Sequence, residues 1–189
     1  MAGHNRGVDW QIRPARSSDG AAIVAVQTAA WQKAYAGLLP ADRLAALGEP
    51  ERQERSAEMW GGRGSQGRGS GLLVAEVEGL VSGFAATSPG EENDLRRVCE
   101  LNVFHLHPDQ WGTGLATALM TAVMTWMHEA KYRRARLWTL RDAGRARRFY
   151  EREGWVHDGQ TQTELGKPLW HDLEIPQVRY VTDRVGSRR

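Results

Sequence analysis

Alternation of apolar and polar residues marks the strands that this chain is expected to form. Val8, Trp10 and Ile12 alternate with polar neighbours, which is the pattern of a strand with one buried face. Pro14 ends this first strand, because proline cannot donate to a ladder of backbone hydrogen bonds. Further β-like runs occupy residues 72–77, 80–87, 98–106, 135–140, a short piece from 155, and 175–181. The sequence therefore predicts a sheet of short strands.

Segments with an apolar residue every three or four positions lie between these strands. Leu115, Leu119 and Val123 recur with the period of an amphipathic helix, and Gly154 follows the last helical segment at the usual stop position. The sequence predicts helices over residues 19–35, from 40 towards 60, 113–130 and 143–153. This alternation of strands and helices predicts one domain over residues 8–182, of mixed α/β or α+β class.

Three segments carry no pattern that would bury them in a core. Residues 61–71 contain six glycines, and such a composition is typical of a flexible surface loop. The terminal segments 1–7 and 183–189 are short and polar, and we expect them to be disordered. A contact of the glycine-rich loop with RNA is an alternative, but the loop offers no aromatic ring for stacking.

Composition limits the class of protein further. The 189 residues are 41% hydrophobic and 25% charged, which is ordinary for a globular domain. Cys99 is the only cysteine, so no internal disulfide is expected, and the six histidines show no metal-ligand spacing. No apolar run approaches the roughly 20 residues that cross a bilayer. We therefore expect a cytoplasmic protein without a metal or a membrane contact.

Positive charge is concentrated in one part of a nearly neutral chain. Residues 131–148 contain eight lysines and arginines and one acid, whereas the whole chain has a formal charge of +2. Such a cluster indicates a phosphate-bearing partner more than a general nucleic-acid binder. A solvated helix face explains the same charges equally well.

The most informative stretch for chemistry is "CELNVFHLHPDQWGTGLATAL", residues 99–119. A strand ends at Pro108, a turn with Gly112 and Gly114 follows, and a helix begins. The first backbone N–H groups of a helix have no internal partner, and together with the helix dipole they form an anion site. Because this site suits an anion and the glycines allow the backbone to approach a ligand closely, we expect it to bind a pyrophosphate. The ligand is not specified by a Walker loop or by the full dinucleotide-binding pattern, since neither is present.

Within this stretch, "HPDQWGTGLATAL" resembles the acyl-CoA-binding motif of the GCN5-related N-acetyltransferase (GNAT) superfamily. Gly114 and Ala116 match the two small positions of that motif, and Trp111 stands where the family has Gln or Arg. A second element, "LWTLRDAGRARRFYEREGW", resembles the strand and helix that follow in the family, with Ala143 in place of its Asn. The resemblance covers nearly all of residues 8–181.

The resemblance implies a mixed, mostly antiparallel central sheet with helices on both faces. It also implies an N-acetyltransferase that moves an acetyl group from acetyl-CoA to a primary amine. The expected cofactor-binding residues lie on the strand and turn of the motif: the backbone of Phe104, His105 and Leu106 for the pantetheine arm, and Trp111, Gly112, Thr113, Gly114, Leu115 and Ala116 for the pyrophosphate.

Two side chains are the catalytic candidates. Glu100 lies eleven residues ahead of Trp111, a spacing that resembles the catalytic Glu of the histone-acetylating branch, and it would deprotonate the amine. His105 is a rival base, because histidine titrates near neutral pH. Tyr150 would protonate the thiolate leaving group. Cys99 has no obvious activating partner, so we expect direct attack in a ternary complex rather than a covalent intermediate.

The sequence does not identify the amine that accepts the acetyl group. Trp31, Tyr35, Leu38 and Leu39 fall where the family builds its acceptor wall, but they are equally good core residues. Small-molecule and peptide amines both fit. The main rival function is a non-catalytic acyl-CoA sensor on the same fold, and a nucleic-acid-binding protein that uses residues 131–148 is a second, less favoured one. The oligomeric state, a homodimer included, is not readable.

Overall fold

The computed structural model describes residues 2–5, 8–63, 69–90, 98–165 and 173–186. The strands are β1 (Ala2–Asn5), β2 (Val8–Pro14), β3 (Gly71–Val77), β4 (Leu80–Pro89), β5 (Val98–Leu106), β6 (Arg134–Leu140), β7 (Val156–Leu165) and β8 (Glu174–Thr182). The α-helices are α1 (Gly20–Ala34), α2 (Ala41–Ala45), α3 (Pro50–Gly62), α4 (Leu115–Glu129) and α5 (Gly144–Arg152).

The described strands form one eight-stranded sheet in the order β1-β2-β3-β4-β5-β6-β8-β7. Every neighbouring pair is antiparallel except β5 and β6, which run parallel. Helices cover both faces: α4 and α5 contribute to the larger hydrophobic core, whereas α1 and α3 pack on the opposite face. The mixed, mostly antiparallel fold expected from the sequence is confirmed.

The parallel pair separates soon after it starts. Residues Val98–Glu100 of β5 are paired with Arg134–Arg136 of β6, and no described pairing between the two strands continues beyond them. The remaining part of β5, residues 101–106, therefore has a backbone edge without a partner strand on the β6 side. This opening in the middle of the sheet lies directly before the turn that the sequence singles out.

A β-bulge at Asn102 changes which face each β5 side chain reaches. Leu101 is paired with Thr87, but Val103 is paired with the adjacent Ala86, so Asn102 is the extra residue. Before the bulge, side chains alternate between the two sheet faces in one phase, and after it in the opposite phase. The bulge therefore brings Glu100 and His105 to the same face, although their odd spacing would place them on opposite faces of a regular strand.

The structure differs from the sequence predictions in several segments. Residues 2–5 form a strand paired with β2, whereas the sequence suggests disorder over 1–7. The helix predicted from 40 towards 60 is interrupted at Glu49, which is extended because Pro50 disfavours a helical residue before it. The strand predicted to start at Trp155 continues as β7 to Leu165.

The terminal and glycine-rich segments are only partly described. In the segment 183–186, predicted to be disordered, Val185 is buried. The loop predicted over 61–71 loses its first two residues to α3, and residues 64–68 lie outside the described residues. None of the helices in the described ranges combines the length and the hydropathy needed to cross a membrane.

Candidate active site

The turn between β5 and α4 has the backbone geometry that its glycines predict. Gly112 and Gly114 have φ angles of +87° and +95°, a region that glycine enters without steric cost. Gly114 is the residue that caps the N-terminus of α4. No described residue accepts a hydrogen bond from the backbone amides of Gly112, Gly114 and Ala116. These three N–H groups are therefore available to an anion at the positive end of the helix dipole.

The other residues predicted for the pyrophosphate hold the turn together. The amide of Trp111 donates to the carbonyl of Pro108, and the amide of Thr113 to that of Gln110. The side chain of Leu115 is buried in the core, and its amide lies 3.4 Å from the hydroxyl of Thr113. The structure thus divides the predicted set into amides that face outward and amides that shape the turn.

The backbone of β5 presents only part of the predicted pantetheine edge. The amide of His107 donates to Ser82 of β4, and hydrogen-bonded pairs alternate along an antiparallel ladder. His105 therefore directs its backbone groups towards β4, with Phe84 as its partner. Phe104 and Leu106 direct theirs away from β4, to the open edge.

The side chain of Trp111 lies between this edge and α5. Its indole N–H donates to the carbonyl of Leu106 over 3.2 Å. The guanidinium carbon of Arg145 is 4.3 Å from the centre of the indole ring, within the range of a cation–π contact. Trp111 therefore joins the end of β5, the turn and the start of α5.

Tyr150 is buried, with 8% of its surface exposed. Its ring packs near Phe149, Trp155 and Tyr180, and no described residue forms a hydrogen bond with its hydroxyl. Burial raises the pKa of Tyr150 well above its usual range, and the nearby phenol of Tyr35 raises it further. Tyr150 is therefore a neutral proton donor throughout the physiological range.

Tyr35 follows α1, on the opposite side of the sheet from α5. Its phenol is near enough to that of Tyr150 to raise the pKa of Tyr150. Burial raises the pKa of Tyr35 to about 12, and its ring packs edge-on against Trp31 with centroids 5.0 Å apart. Of the predicted acceptor-wall residues, Tyr35 thus interacts electrostatically with the expected catalytic tyrosine, and Trp31 packs against Tyr35.

His105 is held in a form that does not favour general-base chemistry. Trp31 donates its indole N–H to Nε2 of His105 over 2.9 Å, and this bond places the ring proton on Nδ1. Burial lowers the pKa of His105 to about 4. At neutral pH the imidazole is therefore uncharged, and its basic nitrogen already accepts a hydrogen bond.

Glu100 forms an ion pair with Arg136, its register partner on β6. The side chains are 21% and 12% exposed, and the closest nitrogen–oxygen distance is 2.8 Å. The pair borders a cleft of about 400 Å³, which is large enough for a small polar molecule or a peptide terminus. The residues that line this cleft are Ser88, Pro89, Glu100, Asn102, Arg136, Trp138 and Gln162.

Sequence reasoning missed most of this cleft. Arg136 was visible only as one member of a basic cluster, because its partnership with Glu100 depends on the parallel register of β5 and β6. Trp138 and Gln162 carry no sequence signal, since they come from strands whose order in the sheet is not readable from the chain.

The basic cluster at residues 131–148 does not form a single surface. Arg134 pairs with Asp183, and Arg136 with Glu100. Arg147 donates from Nε to the hydroxyl of Tyr180. The basic residues are therefore distributed over a strand, a turn and a helix, and several of them form ion pairs or hydrogen bonds with other residues of the protein.

Neither a covalent nucleophile nor a metal centre emerges from the described residues. Cys99 has no exposed surface, and burial raises the pKa of its thiol to about 12, which suppresses the reactive thiolate. No group of three His, Cys, Asp or Glu side chains within the described ranges is arranged to hold a metal ion.

Comparison with known proteins agrees with this geometry. The sequence model of the acetyltransferase (GNAT) family matches residues 29–155. An uncharacterized N-acetyltransferase of Mycobacterium bovis is 32% identical over 108 residues, which are 57% of this chain and 65% of that protein. An uncharacterized N-acetyltransferase of Archaeoglobus fulgidus is 32% identical over 82 residues, 42% of this chain and 56% of that protein. The chain thus spans less than two thirds of these curated relatives.

Solved structures share the whole fold at low sequence identity. The PaiA N-acetyltransferase of Thermoplasma acidophilum, solved in complex with coenzyme A, superposes with a TM-score of 0.70 at 16% identity, over 92% of this chain and 98% of that chain. The ribosomal-protein-alanine N-acetyltransferase of Brucella melitensis gives a TM-score of 0.69 at 20% identity, over 92% and 99%. With the family match and the fold in agreement, the chain belongs to the acetyltransferase (GNAT) family.

Proposed function

We propose that this protein is an acetyl-CoA-dependent N-acetyltransferase that transfers the acetyl group directly to an amine. The observation that carries the proposal is the order of three features: the outward amides of Gly112, Gly114 and Ala116, the open edge of β5 that leads to them, and the buried phenol of Tyr150. β5 is connected to Tyr150 through ring contacts, because Phe104 stacks on Phe149 and Phe149 packs against Tyr150. These features match, in order, the phosphates, the arm and the thioester of the cofactor.

Binding of the cofactor rests on backbone groups. The three outward amides would hold the diphosphate at the N-terminus of α4, and Phe104 and Leu106 would pair with the pantetheine amides as a strand pairs with its neighbour. The carbonyl of Leu106 already accepts from Trp111, so it has one lone pair left for the arm. The backbone groups of His105 are directed to β4, so they are not available to the pantetheine arm.

Glu100 is the proposed general base. Arg136 occupies only one of its carboxylate oxygens, Oε2, and no described residue bonds the other. That second oxygen would take a proton from the acceptor ammonium, directly or through water, because only the neutral amine has the lone pair that attacks the thioester carbon. The deprotonated Glu100 and the charged amine also attract one another during binding.

Tyr150 is the proposed general acid. When the amine nitrogen bonds to the carbonyl carbon, the carbon–sulfur bond breaks and the electron pair leaves with sulfur. The hydroxyl of Tyr150 would give its proton to that thiolate, and the raised pKa of this phenol means that it is protonated before the transfer. The products are an amide and free coenzyme A.

The acceptor is an amine that enters through the cleft bordered by Glu100 and Arg136. The lining side chains are mainly polar, so a small polar amine or the end of a peptide fits better than an apolar one. Trp31 and Tyr35 would contribute to the wall on the side of Tyr150, because Tyr35 raises the pKa of Tyr150 and the ring of Trp31 packs against Tyr35. A screen of amines identifies the acceptor within this class.

A thiol-release assay tests the proposal. Purified protein is incubated with acetyl-CoA and a panel of amines that includes polyamines, amino acids, peptide N-termini and aminoglycosides. We expect release of coenzyme A above the hydrolysis rate with at least one acceptor, and slower release in Tyr150→Phe. Tight cofactor binding without turnover on any acceptor would instead indicate an acyl-CoA sensor.

A further inference from the structure

Arg145 is an exposed cation that contacts the turn carrying the outward amides. Its guanidinium lies over the ring of Trp111, the first residue of that turn, at 4.3 Å from the ring centre. The ring itself is held by the hydrogen bond from its indole N–H to Leu106. A flexible arginine is thus restricted to one region before any ligand arrives, which lowers the entropy lost on binding.

The guanidinium of Arg145 is not neutralised by any carboxylate in the described part of the protein. No described carboxylate pairs with it, and no described acceptor takes a hydrogen bond from it, whereas Arg147 two residues later is bonded to Tyr180. The contact with the indole ring engages no acceptor, so the N–H donors of Arg145 remain able to bind an anion. Guanidinium groups bind phosphate oxygens with paired hydrogen bonds.

We propose that Arg145, held on Trp111, is a phosphate-binding residue that makes this protein select the phosphorylated form of its cofactor. The inference rests on the proposed function, because it assigns a ligand to the same turn. It adds a side-chain determinant to a site otherwise built from backbone amides. The phosphate in question is either the diphosphate or the 3′-phosphate of coenzyme A, which have the same chemistry and can be separated by experiment.

The first experiment compares two arginines of α5. Calorimetry measures the dissociation constant of coenzyme A for the unmodified protein, for Arg145→Gln and for Arg148→Gln. Arg148 is exposed on the same helix and forms no cation–π contact with Trp111 in the described part of the chain, so it controls for the general effect of one lost charge. We expect about tenfold weaker binding for Arg145→Gln, the scale of one charge-assisted hydrogen bond, and less than a twofold change for Arg148→Gln.

Cofactor fragments show which phosphate is bound. If Arg145→Gln weakens coenzyme A and dephospho-coenzyme A equally, Arg145 binds the diphosphate. If it weakens coenzyme A alone, Arg145 binds the 3′-phosphate. Turnover with acetyl-S-pantetheine, which carries neither group, is expected to be the same in both proteins. Binding of both nucleotides within twofold of the unmodified protein would overturn the proposal.

Variants of Trp111 test whether the cation–π contact with this ring positions the guanidinium of Arg145. Trp111→Leu removes the ring, and we expect it to weaken coenzyme A and to abolish most of the further effect of Arg145→Gln in the double variant. Trp111→Phe keeps a ring but removes the N–H to Leu106, and we expect it to retain most of the effect of Arg145. Fully additive losses in the double variant would show that Arg145 acts without Trp111 and would contradict the positioning.

The result is separable from the proposed function. If the unmodified protein binds no coenzyme A, the proposed function itself fails. If it binds coenzyme A and transfers acetyl groups but Arg145→Gln changes nothing, only this inference fails.

Discussion

Arg136 places two nitrogens, Nε and Nη2, each 2.8 Å from the same oxygen, Oε2, of Glu100. The arrangement holds the carboxylate in one orientation and leaves Oε1 unbonded among the described residues. A structural ion pair and a general base are therefore compatible roles for the same side chain, because each role uses a different oxygen.

Glu100→Gln tests the role of the free oxygen. Glutamine retains an oxygen for Arg136 but cannot take a proton, so we expect kcat/KM to fall by about 10²–10⁴-fold, the range of general-base catalysis. The dissociation constant of coenzyme A is expected to stay unchanged. Turnover within threefold of the unmodified protein would remove Glu100 from the mechanism.

Arg136→Gln tests whether orientation of the carboxylate matters. We expect kcat to fall by about tenfold, the scale of a misplaced catalytic group, while binding of coenzyme A is retained. Arg136→Lys keeps the charge but loses the fork of two donors, and its kcat is expected to be intermediate. An equal kcat in all three proteins would show that the ion pair only stabilises the fold.

Tyr150→Phe removes the proposed acid without changing the shape of the core. We expect a lower kcat with little change in affinity for acetyl-CoA. Because burial raises the pKa of Tyr150 above the ordinary tyrosine value of about 10, ionisation of this phenol is not expected to lower kcat of the unmodified enzyme below that pH. An alkaline loss of activity near pH 8 that disappears in Tyr150→Phe would contradict this assignment.

His105 is expected to make the fold sensitive to mild acid. Its folded pKa of about 4 lies below the ordinary value of about 6.5, so the unfolded chain binds more protons between these values. The free energy of unfolding therefore decreases as pH falls from about 6.5 to 4. Urea titrations at pH 7, 5.5 and 4.5 should show a smaller decrease for His105→Gln, which keeps an acceptor for Trp31. The exposed His128→Gln is the control, and an equal decrease in both variants would contradict the prediction.

A buried charge cluster ties the first helix to the sheet. Arg13 bonds both oxygens of Asp19, at 2.7 and 2.9 Å, and their side chains are 11% and 9% exposed. Arg13→Gln leaves Asp19 buried without its partner, so we expect the free energy of unfolding to fall by about 3 kcal/mol. The bond to Arg13 also lowers the pKa of Asp19 below 3.8, and its contribution is therefore lost as pH falls below that value. A Tm unchanged in Arg13→Gln would contradict this account.

Local patterns were sufficient to predict the order of most elements and the backbone geometry of the turn between β5 and α4. The turn is predictable because its requirements are local: Pro108 ends a strand, Gly112 and Gly114 permit positive φ angles, and a helix follows. The predictions failed at Glu49, which is extended because Pro50 follows it, and at residues 2–5, which pair with the neighbouring strand β2 although they carry no alternating pattern.

The chemistry across the sheet was not predictable from the chain. The bulge at Asn102, the pairing of Glu100 with Arg136 and the bond from Trp31 to His105 each depend on the register or packing of elements far apart in sequence. Sequence spacing could identify Glu100 and Tyr150 as candidates. It could not show that His105 has its basic nitrogen occupied.

Calorimetric titration of the unmodified protein with coenzyme A tests the central claim most directly. The account predicts saturable binding of one molecule per chain, and much weaker binding of pantetheine, which lacks the phosphates that the turn would hold. The absence of saturable heat with coenzyme A, or equal affinity for both compounds, would contradict it.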